Sequence, residues 1–154
     1  MTTLDKSIAI IGFGISGIAA CRWAIHYGFQ PTVYEKNDNL GGVWLTHNYA
    51  NCQLQTTRHS YHYSDQPMLE KDYDLYPSGQ QVLQYLNEYV KLHKLEEYVK
   101  FNSNVQTIKK IDNTWEVVVN GKKHIYNYLI VSTGFYGNPK NRFPGSVIPN
   151  QVDK

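Results

Sequence analysis

The chain has 154 residues, of which 42% are hydrophobic, and its 15 Lys or Arg against 13 Asp or Glu give a net charge of +2. This length suits one sizeable hydrophobic core, and the composition argues against a largely disordered chain. The small, scattered net charge argues against a nucleic-acid or polyanion binder.

The chain's two cysteines, Cys21 and Cys52, are too few for a disulfide framework and form no C-x-x-C pair. This usage predicts a reducing, cytoplasmic setting. No apolar run approaches the roughly 18 residues needed to span a bilayer, so no membrane segment is expected. The early apolar run is rich in glycine and does not resemble a secretory signal.

The first elements in chain order form a βαβ unit. The β-branched run at 7–11 predicts a buried strand of a parallel sheet, which Gly12 ends. A glycine-rich turn at 12–17 precedes a predicted helix at 18–26, and Gly28 closes that helix. A second strand is predicted at 32–35.

The middle of the chain alternates irregular and regular segments. Residues 37–49 and 51–67 lack periodicity and predict loops, the second lining a cleft. Residues 78–92 predict a helix because Ser78 and Gln81 form a capping box before a helical repeat of apolar residues. A third parallel strand is predicted at 99–101.

The last predicted elements are strands. Segments 105–111 and 114–119 predict antiparallel strands, and Asn120-Gly121 predicts a tight hairpin turn before a strand at 124–126. Residues 129–132 predict another buried strand. From residue 137 onward the chain contains three prolines and no periodicity.

Gly12 to Gly17 form a G-x-G-x-x-G string that follows a predicted strand and opens a predicted helix. Gly12 permits the tight turn, Gly14 lets a pyrophosphate approach the backbone, and Gly17 lets the helix pack closely. Glu35 ends the second strand at the distance expected for a ribose-binding acid. Because its charge would repel a 2′-phosphate, the predicted ligand is FAD or NAD(H) rather than NADP(H).

Other readings of these residues are weaker. A glycine turn that merely reverses the chain would not require the strand, helix and acid together. The Gly41-Gly42-Val43-Trp44 segment, taken alone, favours a turn followed by a core tryptophan. His47, His59 and His62 lack zinc-motif spacing, so no metal is expected, and no serine lies in a G-x-S-x-G elbow.

The sequence resembles the flavin-containing monooxygenases, particularly those of plants and lower eukaryotes. Several motifs carry the resemblance together and in order: the glycine string, Glu35, Gly41-Gly42-Val43-Trp44, Tyr63-Ser64-Asp65 with Pro67, Tyr76-Pro77-Ser78, and Ser132-Thr133-Gly134 followed by Tyr136 and Phe143-Pro144-Gly145. The resemblance implies an α/β, Rossmann-like FAD-binding domain, with a parallel sheet, helices and an inserted antiparallel meander. That domain would cover residues 1–145, with 146–154 leading toward a second, NADPH-binding domain.

The resemblance also assigns roles to residues. Those expected to contact FAD are Gly12, Phe13, Gly14, Ile15, Ser16, Gly17, Glu35, Lys36, Gly42, Val43, Trp44, Leu54, Gln55, Thr56, Val105, Thr133 and Gly134. The family reaction is NADPH- and oxygen-dependent oxygenation of a soft nucleophile such as an amine or sulfide. Gln55 occupies the position of an asparagine that assists oxygenation in many members, so it is the candidate catalytic residue.

The chain departs from full members of that family in having one glycine string, where they carry a second for NADPH. Gln55 also places its amide one methylene further out than asparagine would. Three hypotheses follow: the FAD-binding half of a monooxygenase, an FAD- or nucleotide-binding remnant without turnover, and an NAD-binding module.

Overall fold

The computed structural model describes residues 6–47 and 49–135. Four strands in this part of the chain form a parallel sheet: β1 (Ser7–Ile11), β2 (Gln30–Tyr34), β3 (Val99–Lys100) and β7 (Tyr128–Val131). Their order across the sheet is β3-β2-β1-β7. β1 is therefore central, paired with β2 from Ser7 to Ile11 and with β7 from Ile8 to Ile11.

Both faces of this sheet are covered, which explains the uninterrupted apolar run in β1. Alternate residues Ile8 and Ile10 pack on one side with α1 (Ile15–His26) and α3 (Gly79–Leu92). Ala9 and Ile11 pack on the other side against a second sheet. The resulting order of layers is helices, parallel sheet, antiparallel sheet.

The second sheet is an antiparallel meander of three described strands, β4 (Val105–Ile111), β5 (Thr114–Val119) and β6 (Lys122–Tyr126). Asn120 and Gly121 both have positive φ, as the predicted tight turn requires. The meander packs against the parallel sheet through three buried residues, Val117, Val119 and Tyr126. The predicted α/β architecture with an inserted meander is confirmed.

Several boundaries differ from the sequence prediction. α1 begins at Ile15, three residues earlier than predicted, because the last part of the glycine string is already helical. β2 begins at Gln30 and ends at Tyr34, which leaves Glu35 just beyond the strand. β6 begins at Lys122, two residues early, and β7 runs one residue earlier at each end.

The predicted loop at 37–49 contains a short helix, α2 (Val43–Thr46), and 51–67 contains a 3-10 turn at Arg58–Ser60. A second 3-10 turn, Leu95–Tyr98, leads into β3. The capping box of α3 is formed as predicted: Ser78 Oγ accepts the Gln81 N–H at 3.2 Å, and Gln81 Oε1 accepts the Ser78 N–H at 2.9 Å. The predictions for residues 136–154 lie outside the described residues.

Candidate functional site

The loop from β1 to α1 is shaped by two glycines whose side-chain space is filled by backbone. Gly12 has φ +96°, and a Cβ there would lie 2.6 Å from the Ser132 carbonyl oxygen at the end of β7. A Cβ on Gly17 would lie 1.9 Å from the Gly12 carbonyl oxygen. Glycine at both positions therefore lets α1 approach the sheet closely, as the G-x-G-x-x-G string predicts.

The N-terminus of α1 has no capping side chain, so its N–H groups are available to a ligand. Gly14 is the N-cap and carries no side chain that could accept a hydrogen bond from the first turn. The Ile15 and Ser16 N–H groups precede the first intrahelical partner, so their positive dipoles remain free for an acceptor. A helix end of this kind is an anion-binding arrangement.

Glu35 lies beside this loop with its carboxylate buried. The side chain is 4% exposed, and its two oxygens accept the Phe13 N–H at 2.7 Å and the Asn37 N–H at 2.9 Å. These two bonds fix the carboxylate at the end of β2. Since each carboxylate oxygen has two lone-pair sites, acceptor capacity remains for a ligand hydroxyl.

A second glycine pair packs against the first loop. The Gly41 N–H donates to the Phe13 carbonyl at 3.1 Å, and Gly41 and Gly42 have φ +124° and +58°. A Cβ on Gly42 would lie 3.2 Å from the Gly14 Cα, so the two loops meet backbone to backbone. Gly41 and Gly42 thus allow the chain to turn and allow the two loops to pack closely.

Trp44 follows this pair on α2 and is half-buried. Its indole N–H donates to the Tyr61 hydroxyl at 2.8 Å, and the two rings meet edge to face at 5.8 Å between centroids. Burial raises the pKa of Tyr61, against the opposing effect of that hydrogen bond. The tryptophan therefore has a fixed orientation at one end of the loop contact.

These elements enclose a cavity of about 430 Å³ at the carboxyl ends of the parallel strands, where open α/β sheets bind ligands. Twelve predicted site residues line it: Gly12, Gly14, Ile15, Ser16, Glu35, Lys36, Gly42, Val43, Trp44, Val105, Thr133 and Gly134.

The other predicted site residues are outside the cavity lining. Phe13 is fully buried, and its ring packs edge to face on Phe101, while Gly17 supports the loop from behind. Leu54 is buried, and its N–H donates to the Pro77 carbonyl at 2.8 Å. Gln55 and Thr56 are exposed.

Sequence reasoning missed ten lining residues: Ile11, Tyr34, Asn37, Gly41, Thr46, His47, Ser103, Asn104, Ser132 and Phe135. Most of them follow the carboxyl ends of β2, β3 and β7 or belong to the loop that closes on the glycine string. Their position after parallel strands was the signal that could have identified them.

Tyr34 connects the cavity to the meander. Its hydroxyl lies 2.6 Å from the Tyr126 hydroxyl, and Lys100 Nζ lies 5.7 Å from the centre of its ring. Burial and the hydrogen bond to Tyr126 raise the pKa of Tyr34. The phenol therefore stays neutral, and its contact with Tyr126 joins β2 to β6.

No group of three or more His, Cys, Asp or Glu side chains in the described ranges is arranged to hold a metal ion. No described helix has both the length and the apolar character to cross a membrane.

The strand–turn–helix unit, the buried acid and the cavity above a parallel sheet define a Rossmann-like α/β domain. The family model for flavin-binding monooxygenase-like proteins matches residues 5–149. The chain therefore belongs to the flavin-binding monooxygenase-like family.

Two relatives agree with this assignment. The chain is 32% identical to a probable flavin-containing monooxygenase 1 of Arabidopsis thaliana and 31% identical to flavin-containing monooxygenase 1 of Homo sapiens, covering 87% and 92% of this chain. It spans about 30% of the length of each.

Two solved structures show the same fold over part of their length. A steroid monooxygenase bound to NADP superposes with a TM-score of 0.80 at 23% identity, covering 89% of this chain and 28% of that one. An open form of cyclohexanone monooxygenase gives 0.76 at 27% identity, covering 83% and 26%.

Proposed function

We propose that this chain is the FAD-binding portion of a monooxygenase that uses NADPH and oxygen to oxygenate soft nitrogen or sulfur nucleophiles. In this proposal residues 1–145 form the FAD domain, and 146–154 lead toward the NADPH domain of a longer protein. The protein would act in the cytoplasm on a small amine or sulfide, without nucleic acid.

The observation that carries the proposal is an uncapped helix end in the β1–α1 loop with a buried acid, Glu35, beside that loop. The diphosphate would accept hydrogen bonds from the Ile15 and Ser16 N–H groups, which have no capping side chain. Glu35, held by the Phe13 and Asn37 N–H groups, would accept a hydroxyl of the adenosine ribose. A 2′-phosphate would meet the Glu35 charge, so the site favours FAD over NADP(H).

The rest of the cavity fits a long ligand. The adenosine half would lie beside Lys36 and Val105. Where the chain leaves the FAD domain, the cavity would be lined by Thr133 and Gly134, and the flavin half would lie between Val43 and Trp44. When bound, FAD supplies the two-electron and oxygen chemistry, while the protein positions it and excludes water. The catalytic role of Gln55, and the contacts of Leu54 and Thr56 along the flavin, stay predictions.

A second candidate is an FAD-binding module without turnover. The observation that favours it is the position of Gln55, which is exposed and outside the cavity lining. An amide that assists oxygenation must reach the flavin, so its present position supports binding more directly than catalysis.

The test is a titration of the purified 154-residue chain with FAD, followed by flavin fluorescence and the absorbance of the washed protein. We expect one FAD per chain, competition by ADP, and no competition by FMN, which lacks the adenosine half. Retention of NAD(H) in preference to FAD would overturn the proposal. The two candidates are separated by adding NADPH under air, together with the remainder of a full-length relative. A monooxygenase portion should then turn over NADPH, whereas an FAD-binding module should bind FAD without turnover.

A further inference from the structure

Tyr63, the first residue of the Tyr63-Ser64-Asp65 motif, reaches the first turn of α1. Its hydroxyl donates to the Ile15 carbonyl oxygen at 2.7 Å. The ring packs on Tyr89 and Tyr85, with centroid distances of 4.1 and 5.8 Å. The Tyr63 N–H donates to the Tyr85 hydroxyl at 2.7 Å, so both ends of the residue are held in place.

The bond to Ile15 acts on the group that faces the cavity. The Ile15 carbonyl and the Ser16 N–H belong to one planar peptide unit. Ser16 is in the first turn, where helix geometry leaves its N–H without a carbonyl partner, and both residues line the cavity. A donor on the carbonyl oxygen polarises the peptide and strengthens the N–H on its opposite side.

We propose that Tyr63 is a positioning residue for the diphosphate, because its hydroxyl orients and polarises the peptide that presents the Ser16 N–H. The inference rests on the proposed function, in which this cavity holds FAD. Burial raises the pKa of Tyr63, first among several causes, so the phenol remains a proton donor at neutral pH. Tyr63 acts through Ser16 and needs no contact with the ligand.

The test compares Tyr63→Phe with Tyr73→Phe, which removes a hydroxyl of the same kind elsewhere in the same core. Tyr73 is 5% exposed, and its hydroxyl donates to Glu88 rather than to α1. We expect the dissociation constants of FAD and ADP to rise roughly three- to tenfold in Tyr63→Phe, the effect of one hydrogen bond. Adenosine, which has no phosphate, should change less than about twofold, and Tyr73→Phe should change none of the three.

The apo protein gives an independent readout. In Tyr63→Phe the Ser16 amide proton should move upfield in the nitrogen–proton spectrum, whereas Tyr73→Phe should leave it in place. If Tyr63→Phe does not fold, the wild-type protein still decides the matter: a slowly exchanging Tyr63 hydroxyl proton with cross-peaks to Ile15 supports the inference, and its absence overturns it.

The outcomes separate the two proposals. Equal losses for ADP and adenosine, or equal effects of the two Phe variants, would overturn the role of Tyr63 and leave FAD binding intact. A wild-type chain that folds but binds neither FAD nor ADP would overturn the proposed function and this inference with it.

Discussion

Gly17→Ala tests whether the glycine string is held by close backbone packing. The added Cβ would lie 1.9 Å from the Gly12 carbonyl oxygen and 2.9 Å from its carbonyl carbon. Both atoms belong to the backbone of the turn, so no side-chain rotation can relieve the contact. Either α1 or the turn must move.

The expected magnitude is a balance of two opposing effects. Alanine improves the helix propensity of this position by about 1 kcal/mol. Overpacking costs typically 1–3 kcal/mol, and a backbone contact this short belongs at the upper end of that range. The net loss in the free energy of unfolding is about 2 kcal/mol, or roughly 4–8 °C in Tm for a chain of this size.

The assay is thermal unfolding without ligand, followed by FAD titration, with Gly14→Ala as the matched control. A Cβ on Gly14 would lie 3.4 Å from the Gly42 Cα, an ordinary contact, and its φ of −82° suits alanine. Its main cost is a poorer N-cap, at most about 1 kcal/mol. Gly17→Ala should therefore lose more stability, and both should lose FAD affinity. A Gly17→Ala protein as stable as wild type would refute the packing argument.

Three further predictions follow from single contacts. Glu35→Gln should raise the FAD dissociation constant more than tenfold, because a charged acceptor contributes about 1.5–3 kcal/mol; an unchanged titration would place the ribose elsewhere. Ser78→Ala should lower the free energy of unfolding, measured in urea, by about 1 kcal/mol. An unchanged midpoint of urea unfolding would show that the capping box does not stabilise the fold. Burial, then Arg22, lowers the pKa of His93, so the folded state binds fewer protons and stability should fall as pH drops below about 6.5. His93→Gln should flatten this slope below about pH 6.5, and an identical slope there would contradict the assignment.

The βαβ unit was predictable because its signals are local. Ile8 to Ile11 are apolar on successive residues, and the run is short, rich in β-branched residues and ended by Gly12, so these local features together indicate a strand buried on both faces. Ser78 and Gln81 similarly specify a helix start through their own side chains. The core on both sides of β1 follows from those short-range patterns.

The start of α1 was not predictable in the same way. Glycine has low helix propensity, so Gly17 suggested that the helix begins at Ile18. In the folded chain the backbone is helical from Ile15 onward and Gly17 packs against the Gly12 carbonyl, a contact that needs glycine at this position of the helix. β2 likewise extends past Pro31 to Gln30. Among the described residues, β3 pairs with Val33 and Tyr34 only, so no described strand on that side loses a hydrogen bond to the missing proline N–H.

The residues that line the cavity also include some that local motifs predict and some that they do not. Residues of the glycine string and Glu35 belong to a motif with fixed spacing, and the string is also positioned by backbone geometry. Ser103 and Ser132 line the cavity because β3 and β7 end there, and strand order is a long-range property that no short segment of sequence contains.

The backbone contact between Gly14 and Gly42 makes the packing of each glycine motif depend on the other. A methyl group on Gly42 would lie 3.2 Å from the Gly14 Cα and push the two loops apart, so a methyl group added to Gly14 would then meet a wider gap. The penalties of Gly14→Ala and Gly42→Ala should then be less than additive. Sequences that have drifted at one of these positions should tolerate drift at the other, and the two motifs are best compared between homologues as a pair.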